Sequence, residues 1–274
     1  MKKFAKILAI VMAIAMLSAM FVACGKDDTT KTDGTGTAAT TTGADSSAEA
    51  KDLVFGTNAE FPPFEFVSVK GGVIGEFDGI DMAIADQIAK DNGMTAKISN
   101  LEFDSLLIAL ENGQVDAVIA GMTVTPDRLE SVDFSTPYYE ATQVMIVKEG
   151  SAIAKAADMA DKKIAVIQGY TGETCVEKMG YKYESFKKGT DAIMELMNGK
   201  ADVVVIDSAT AGKYVADNDG LKIVEDSEAF ESEQYAIAVK KGNTELLDKI
   251  NATIDKMLKD GTIADLGAQY AVAE

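Results

Sequence analysis

From residue 51 onward, short apolar runs alternate with segments whose apolar positions keep helical spacing. Leu53–Thr57 is a run typical of a buried strand. Ile80, Ile84 and Ile88 then recur every four residues, which predicts an amphipathic helix that ends at Gly93. The folded part of the chain is therefore expected to begin with a strand followed by a helix.

The next segment predicts a second helix and a second strand. Asp104 can cap a helix that extends through Leu110, and Asn112–Gly113 is typical of a helix end. Val115–Ala120 is an apolar run of strand length. Because strand, helix and strand alternate, we predict a parallel sheet whose strands are connected by crossover helices.

The second half of the chain repeats this plan. Leu107–Gly121 aligns with Ile193–Asp207 at an offset of 86 positions, and Lys163–Ile167 resembles the opening strand of the first half. The aligned pairs are Asn112 and Asn198, Gly113 and Gly199, Asp116 and Asp202, and Gly121 and Asp207. The repeat predicts an α/β fold of two similar lobes, each built on a mostly parallel sheet flanked by helices.

In lobes of this kind, ligands bind beyond the carboxyl ends of the strands. The segments at those positions are Asn58–Phe61, Gly121–Thr123, Gln168–Gly172 and Asp207. Each contains polar residues or glycine, so we predict that these segments converge on one binding site.

The first residues of the chain have the pattern of an export signal. Basic residues precede an uncharged, mostly apolar run, so we predict a signal peptide over Met1–Ala23 rather than a membrane-spanning helix. Phe21–Gly25 resembles a bacterial lipobox, in which the chain is cleaved before a cysteine that is then lipidated. We predict that Cys24 carries this lipid and anchors the exported protein to the membrane. The alternative is a plain signal peptide cleaved near Ala23.

Residues 24–50 are predicted to form a flexible linker. Beyond Cys24 the segment contains no Val, Ile, Leu, Met, Phe or Tyr and consists largely of Thr, Gly, Ala, Ser and Asp. Such a segment cannot bury enough apolar surface to offset the entropy lost on ordering. Residues 51–274 remain, and they are enough for one large domain or two smaller ones.

Composition excludes several classes of function. The net charge of −18 would repel the phosphate backbone of a nucleic acid. The chain contains no histidine, which excludes histidine-dependent catalysis and most zinc sites. Its two cysteines cannot form a disulfide framework, and we expect Cys175 to be a buried free thiol. The carboxylates are scattered along the chain, so neither a metal nor an organic cofactor is predicted.

Five segments together resemble one protein family. They are Gly56–Phe66, Ala120–Ser135, Glu140–Lys148, Ile164–Glu173 and Gly261–Leu266. In these segments the chain resembles the polar amino-acid-binding lipoproteins of bacterial ABC importers, which are solute-binding proteins with the periplasmic-binding-protein type II fold. The resemblance covers essentially all of residues 52–270.

This resemblance implies that the chain crosses between the lobes twice. The crossings would lie near Tyr138–Thr142 and Glu231–Tyr235 and would form a two-strand hinge. One lobe would comprise residues 51–140 and 234–274, and the other residues 141–233.

The resemblance also implies which residues bind the α-carboxylate of an amino acid. Arg128, in the pattern Gly-x-Thr-x-Thr-x-x-Arg, would bind it, and a guanidinium presents a bidentate fork that fits a carboxylate. Thr171 and Gly172 would add N–H groups at a helix N-terminus. Tyr170 departs from the smaller residue usual at its position.

The remaining contacts implied by the family concern the α-ammonium and the side chain. Asp207 would accept the ammonium, together with the carbonyl of Gly121 and the hydroxyl of Thr123. Phe61 and Phe103 would enclose the ligand side chain between their rings.

Specificity for the side chain would depend on Asn58, Glu60, Gln168 and Tyr170. Many binders of basic amino acids in the family carry Asp where this chain has Asn58, but Glu60 could supply the missing charge if it points into the cleft. A basic amino acid such as arginine, lysine or ornithine is preferred, and an amide such as glutamine remains open.

Together these features predict a receptor rather than an enzyme. It would bind a polar L-amino acid outside the cytoplasmic membrane and, as a monomer, dock on the membrane subunits of an ABC permease. The alternative is a dehydratase of cyclic amino-acid precursors, of the cyclohexadienyl type that uses the same fold. That reaction requires a general acid, for which Glu60 and Glu173 are the candidates.

Overall fold

The computed structural model describes residues 50–271 and has a mixed α/β fold. The predicted signal peptide, Cys24 and all of the linker except Ala50 lie outside these residues, so the inferences about them stay predictions. Between residues 50 and 271, the helices are too short or too polar for any of them to cross a membrane.

Strands in the described residues form two large sheets and a small one. The strands are β1 (Asp52–Thr57), β2 (Glu60–Phe61), β3 (Glu65–Val67), β4 (Phe77–Asp78), β5 (Thr95–Asn100), β6 (Ala117–Val118), β7 (Val132–Phe134), β8 (Tyr139–Lys148), β9 (Ile164–Ile167), β10 (Tyr183–Phe186), β11 (Val203–Asp207), β12 (Leu221–Val224), β13 (Ser232–Tyr235) and β14 (Ala238–Lys240). The first sheet has the order β5-β1-β6-β14-β7, the second the order β10-β9-β11-β8-β12, and the small sheet the order β2-β3-β4.

Both large sheets combine parallel and antiparallel pairs. In the first sheet β1 pairs in parallel with β5 and β6, as the strand–helix alternation predicts. In the second sheet β9 pairs in parallel with β10 and β11. The antiparallel pairs involve β14 in the first sheet and β8 in the second. These two strands join their sheets from outside the repeated unit, so the repeat alone does not predict their direction.

Helices flank the sheets, and all of them except Pro126–Ser131 bury apolar residues. They are α1 (Ile80–Asp91), α2 (Leu106–Glu111), α3 (Pro126–Ser131), α4 (Thr171–Lys178), α5 (Gly189–Met197), α6 (Ser208–Asp217), α7 (Thr244–Lys259) and α8 (Thr262–Ala271), with short 3-10 helices at Phe103–Ser105 and Ala156–Met159. The predicted apolar face of α1 is fully buried at Ile80, Ile84 and Ile88. Gly93 follows this helix with φ of 64°, a left-handed conformation that suits a helix end.

The sequence repeat is visible in the backbone. Asn112 and Asn198 end α2 and α5 with the same dihedral angles, φ −78° and ψ −3°. The glycines that follow, Gly113 and Gly199, have φ of 70° and 72°. Glycine reaches this left-handed region at little cost, which is why both repeats carry it there.

Two local features differ from their predictions. Asp104 does not cap a helix: it lies in the 3-10 turn before α2, and its carboxylate pairs with Lys187 at 3.1 Å. The run Val115–Ala120 forms a regular ladder only at β6. Beyond β6 the N–H of Ile119 still donates to the carbonyl of Gly56 in β1 at 3.0 Å, and Gly121 then has a φ of 51°, a left-handed conformation.

Strands β8 and β13 connect the two large sheets. Over its first residues β8 pairs with β13, with Tyr139 opposite Tyr235 and Thr142 opposite Ser232. Over the rest of its length β8 belongs to the second sheet, and β13 leads directly to β14 of the first sheet. This arrangement supports lobe boundaries near residues 140 and 234, which we keep as a proposal.

Candidate ligand-binding site

A small cavity lies at the strand ends where residues from the two large sheets meet. Its volume is only about 10 Å³, close to the space of one water molecule, and it is partly open to solvent. Its lining residues are Phe61, Phe103, Ala120, Gly121, Thr123, Arg128, Tyr170, Thr171 and Asp207. Eight of these nine are among the residues that the sequence predicts for the site, and Ala120 is the addition.

The start of α3 places Arg128. Thr125 is the N-cap residue, and its hydroxyl accepts a hydrogen bond from the Arg128 N–H at 3.2 Å. Pro126 occupies the first helical turn, where its missing N–H costs nothing. The sequence Thr-Pro-x-Arg therefore fixes the backbone from which the guanidinium extends.

The guanidinium of Arg128 connects loops from both sheets. It donates hydrogen bonds to the carbonyl of Thr123 at 2.7 Å and to the carbonyl of Gly169 at 3.0 Å. Its central carbon lies 5.2 Å from the centroid of the Phe103 ring, a cation–π distance. Burial lowers the pKa of Arg128, and the nearby carboxylate of Asp207 opposes this effect. The site therefore contains a fixed, partly desolvated positive charge.

Asp207 supplies a buried carboxylate to the same cavity. It ends β11 and stands at the N-cap of α6, but its side chain makes no capping hydrogen bond. Instead its Oδ1 accepts a hydrogen bond from the Tyr235 hydroxyl at 2.6 Å. Burial, followed by the charge of Glu233, raises the pKa of Asp207 to about 7. A cation in the cavity would favour the ionised form of Asp207.

Three aromatic side chains form one wall of the cavity. The ring of Tyr170 meets those of Phe61 and Phe103 edge-on, with centroids 5.3 Å and 4.6 Å apart. The Tyr170 hydroxyl donates to Asn58 Oδ1 at 3.2 Å, and the Asn58 amide donates to the Leu101 carbonyl at 2.9 Å. Asn58 is 4% exposed and outside the cavity lining, which it contacts through its hydrogen bond with Tyr170.

Three other predicted residues also lie outside the cavity lining. Glu60 forms an ion pair with Lys188 at 2.7 Å, and Gln168 is half-buried. Gly172 packs α4 against the second sheet, since a Cβ there would lie 2.7 Å from Gln143 Oε1 and 2.9 Å from the carbonyl of Val205. The absence of a side chain at Gly172 therefore allows α4 to lie this close to Gln143 and Val205.

A buried carboxyl pair lies behind the cavity. The N–H of Gly121 donates to Asp81 Oδ2 at 2.8 Å, and the Tyr138 hydroxyl donates to the same carboxylate at 2.9 Å. Glu65 is fully buried beside Asp81. Burial, and then the charge of Asp81, raise the pKa of Glu65 well above its usual range, and burial raises the pKa of Asp81 to about 6. Asp81 therefore holds the backbone of Gly121 in place from behind the cavity.

Several residues around this cavity are not predicted by the sequence. Gln143, Glu233 and Tyr235 all contact predicted site residues through hydrogen bonds. In β13 the side chains alternate, so Glu233 lies on the same side of the strand as the fully buried Tyr235. That alternation was the available signal, but a four-residue strand with three polar residues does not indicate which side is buried.

Cys175 is a half-buried free thiol, and burial raises its pKa to about 11. A thiol with a raised pKa is a poor nucleophile. Within residues 50–271, no cluster of three or more potential metal ligands occurs.

We expect the free energy of unfolding to fall as the pH rises from about 4 to about 7. The pKa values of Glu65, Asp81 and Asp207 are raised in the folded protein, so the unfolded chain loses these protons first. Stability from these groups is therefore complete below about pH 4 and is lost as the pH approaches the folded pKa values. Because one pKa unit corresponds to about 1.4 kcal/mol, urea unfolding at acidic and neutral pH should differ by about 2 kcal/mol or more.

The matched control for this prediction is Glu65→Gln, which keeps the size of the side chain and removes one ionisable group. Its stability should depend less steeply on pH than that of the unchanged protein. A free energy of unfolding that rises between pH 4 and pH 7 would contradict the raised pKa values.

Comparison with known proteins gives a consistent picture. The model of the bacterial extracellular solute-binding proteins, family 3, matches residues 53–273. A probable histidine-binding protein of Neisseria gonorrhoeae is 36% identical over 225 residues, which are 80% of this chain and 82% of that protein.

Solved structures extend the comparison. The arginine-, lysine-, histidine-binding protein ArtJ of Geobacillus stearothermophilus is 35% identical with a TM-score of 0.75, covering 82% of this chain and 96% of that one. An ancestral arginine-binding protein bound to glutamine is 42% identical with a TM-score of 0.74, covering 80% of this chain and 97% of that one.

Proposed function

The chain belongs to the bacterial extracellular solute-binding proteins of family 3 and has the periplasmic-binding-protein type II fold, and from this premise we propose that it is the receptor of an ABC importer for a polar L-amino acid. The observation that carries the proposal is that Arg128 and Asp207 line one small cavity. Arg128 follows β6 of the first sheet, and Asp207 ends β11 of the second. An amino acid carries a carboxylate and an ammonium on one carbon, so it can pair with both residues at once.

In this proposal each end of the amino acid has its own partners. Arg128 binds the α-carboxylate, together with the first N–H groups of α4 at Thr171 and Gly172, which have no partner within the helix. Asp207 binds the α-ammonium, assisted by the carbonyl of Gly121 and the hydroxyl of Thr123.

We propose a basic amino acid (arginine, lysine or ornithine) as the preferred ligand, and glutamine or another neutral polar amino acid as the alternative. The relatives described as histidine-binding and as arginine-, lysine-, histidine-binding support the first choice. The ancestral arginine-binding protein bound to glutamine supports the second. A cationic side chain that reached Glu60 would have to compete with Lys188, which already pairs with that carboxylate.

A dehydratase on the same fold is the less favoured alternative. Glu173 accepts hydrogen bonds from the Gly169 N–H at 2.7 Å and from the Ser185 hydroxyl. Glu60 is paired with Lys188. Neither candidate for the general acid is among the residues that line the cavity in the described chain, which favours binding over catalysis.

The proposal includes the location and the partners of the protein. The signal peptide over residues 1–23 would direct export, and lipid on Cys24 would hold the protein at the outer face of the cytoplasmic membrane. Residues 24–50 would tether the receptor, and the lobes of residues 51–140 plus 234–274 and 141–233 would close around the ligand. The closed monomer would then deliver the amino acid to the membrane subunits of the permease. The family's description as extracellular supports export.

Thermal unfolding with each of the twenty amino acids and ornithine, at millimolar concentration, tests the function. A ligand at about 1,000 times its dissociation constant stabilises by roughly 4 kcal/mol, which for a protein of this size raises the midpoint by roughly 8 °C or more. We expect arginine, lysine or ornithine to give the largest rise, and the D-enantiomer of the same amino acid to give much less. A rise with glutamine instead would select the neutral alternative. If no amino acid changes the midpoint, the receptor function is wrong.

A further inference from the structure

Glu233 lies where three side chains of the candidate site meet. Its Oε2 accepts hydrogen bonds from the Thr123 hydroxyl at 2.8 Å and from the Thr171 hydroxyl at 2.7 Å. The Gln143 amide approaches the same oxygen at 3.4 Å. Thr123 follows β6, Gln143 lies in β8 and Thr171 begins α4, so the carboxylate binds groups from three separate parts of the fold.

These bonds decide what the two hydroxyl groups can offer a ligand. A threonine hydroxyl has one proton and two lone pairs, whereas a carboxylate can only accept. Because both hydroxyl protons are donated to Glu233, the remaining lone pairs of both oxygens can accept hydrogen bonds from other groups. One lone pair of Thr171 is used by the Gln143 amide, which donates to it at 3.0 Å. Thr123 is the hydroxyl that keeps its lone pairs for the cavity that it lines.

We propose that Glu233 is a positioning residue for the ligand's α-ammonium, which it serves by fixing the Thr123 hydroxyl as a hydrogen-bond acceptor. The inference rests on the proposed amino-acid receptor function. An ammonium has donors only, so it requires acceptors, and a hydroxyl whose proton faced the cavity would repel it. With Glu233 in place, the ammonium meets the oxygen of Thr123 and the carboxylate of Asp207. The α-carboxylate is then left to Arg128 and to the N–H groups of α4.

Replacing Glu233 by glutamine should reverse the direction of the hydrogen bonds between this side chain and the threonine hydroxyls, without changing the size of the side chain. The glutamine amide can donate to the threonine oxygens, so the hydroxyl protons become free to face the cavity. The matched control is Glu231→Gln, because Glu231 is exposed and only two residues away, and its replacement removes the same charge from the same segment. Thr123→Val, which removes the acceptor itself, should reproduce the effect of Glu233→Gln.

The experiment measures dissociation constants for an amino acid and for the same molecule without its α-ammonium. L-Arginine and 5-guanidinopentanoate are the first pair, and L-glutamine and 4-carbamoylbutanoate the pair if the neutral alternative holds. We expect Glu233→Gln to weaken binding of the amino acid at least about 30-fold and to weaken binding of the des-amino acid less than about threefold. Glu231→Gln should leave both constants unchanged. Calorimetry serves for tight ligands and ligand-observed NMR for weak ones.

A purely structural bridge at Glu233 would give a different result. Removing such a bridge would weaken the binding of the amino acid and of the des-amino acid by the same factor, and that outcome overturns the proposal. Unchanged binding of the amino acid by Glu233→Gln also overturns it. If the unchanged protein binds no amino acid at all, the receptor function fails instead, so the two failures can be told apart.

Discussion

Replacing Arg128 by lysine is expected to weaken amino-acid binding by about 100-fold or more. Lysine keeps the charge but lacks the planar fork, so it cannot bind a carboxylate in a bidentate manner while also reaching the carbonyls of Thr123 and Gly169. A lost hydrogen bond to a charged group commonly costs about 1.5–3 kcal/mol, and about 2.8 kcal/mol corresponds to 100-fold in affinity. Calorimetric titration with the amino acid identified by thermal unfolding gives the measurement.

The composition of the chain allows a second test of the same residue. Arg128 is the only arginine among the 274 residues, so an arginine-directed reagent such as phenylglyoxal has one target in the protein. A bound amino acid should protect that target from modification, and the modified protein should no longer bind. Midpoints of unfolding without ligand serve as the control for folding. If the Arg128→Lys variant binds the amino acid within about threefold of the affinity of the unchanged protein, Arg128 does not bind the carboxylate.

Replacing Gly79 by alanine is expected to lower stability by about 3 kcal/mol or more. Gly79 precedes α1 with φ of 126°, a conformation that L side chains rarely adopt. A Cβ there would lie closer than 3.0 Å to the carbonyls of Phe64 and Pro63. Those carbonyls cannot move freely, because they accept hydrogen bonds from the N–H groups of Asp81 and Ile80 at 2.9 Å and 3.1 Å. Backbone strain and overpacking each cost about 1–3 kcal/mol.

Gly75→Ala is the matched control for this stability prediction. Gly75 also has positive φ, 63°, but no atom of the described chain lies within 4 Å of its Cβ position. Its replacement should cost only about 1 kcal/mol of backbone strain. Chemical unfolding of both variants gives the comparison, and equal losses would show that the close approach of Gly79 to Phe64 is not the cause. Because Asp81 follows Gly79 and holds Gly121, we also expect Gly79→Ala to weaken ligand binding.

Local patterns predicted several of the elements and their order along the chain, but not the order of the strands within the sheets. The spacing of Ile80, Ile84 and Ile88 gave α1 and its buried face. The offset of 86 positions paired the end of α2 with the end of α5, and the structure gives both the same backbone angles. Asp116 and Asp202 even share a role, since each carboxylate accepts a backbone hydrogen bond at the start of a strand. The donors are the N–H of Val54 in β1, at 2.8 Å, and the N–H of Lys163 just before β9, at 2.9 Å.

Predictions failed where a residue's partner lies far away along the chain. Asp104 has the local sequence of a helix cap, but its carboxylate pairs with Lys187, which lies 83 positions later. Contact between Glu60 and the ligand stays a prediction, because the structure shows its carboxylate paired with Lys188, 128 positions later. Side-chain direction at such positions depends on which distant segment packs nearby, and sequence spacing carries no information on that.

The sequence by itself determined the α/β class, the repeat and the strand ends at which Thr123 and Asp207 stand, because periodicity and turn chemistry are local properties and strand ends in such sheets converge. Arg128, which lies in α3, was predicted only from the family resemblance of its motif. Only the tertiary structure decided in which direction the hydroxyl groups at this site donate their hydrogen bonds. Glu233 is 110 positions from Thr123 and 62 from Thr171, and its role exists only because the fold brings a carboxylate within 2.8 Å of both hydroxyls. Hydrogen bonds of that range depend on distance and direction in space, which no pattern along the chain encodes.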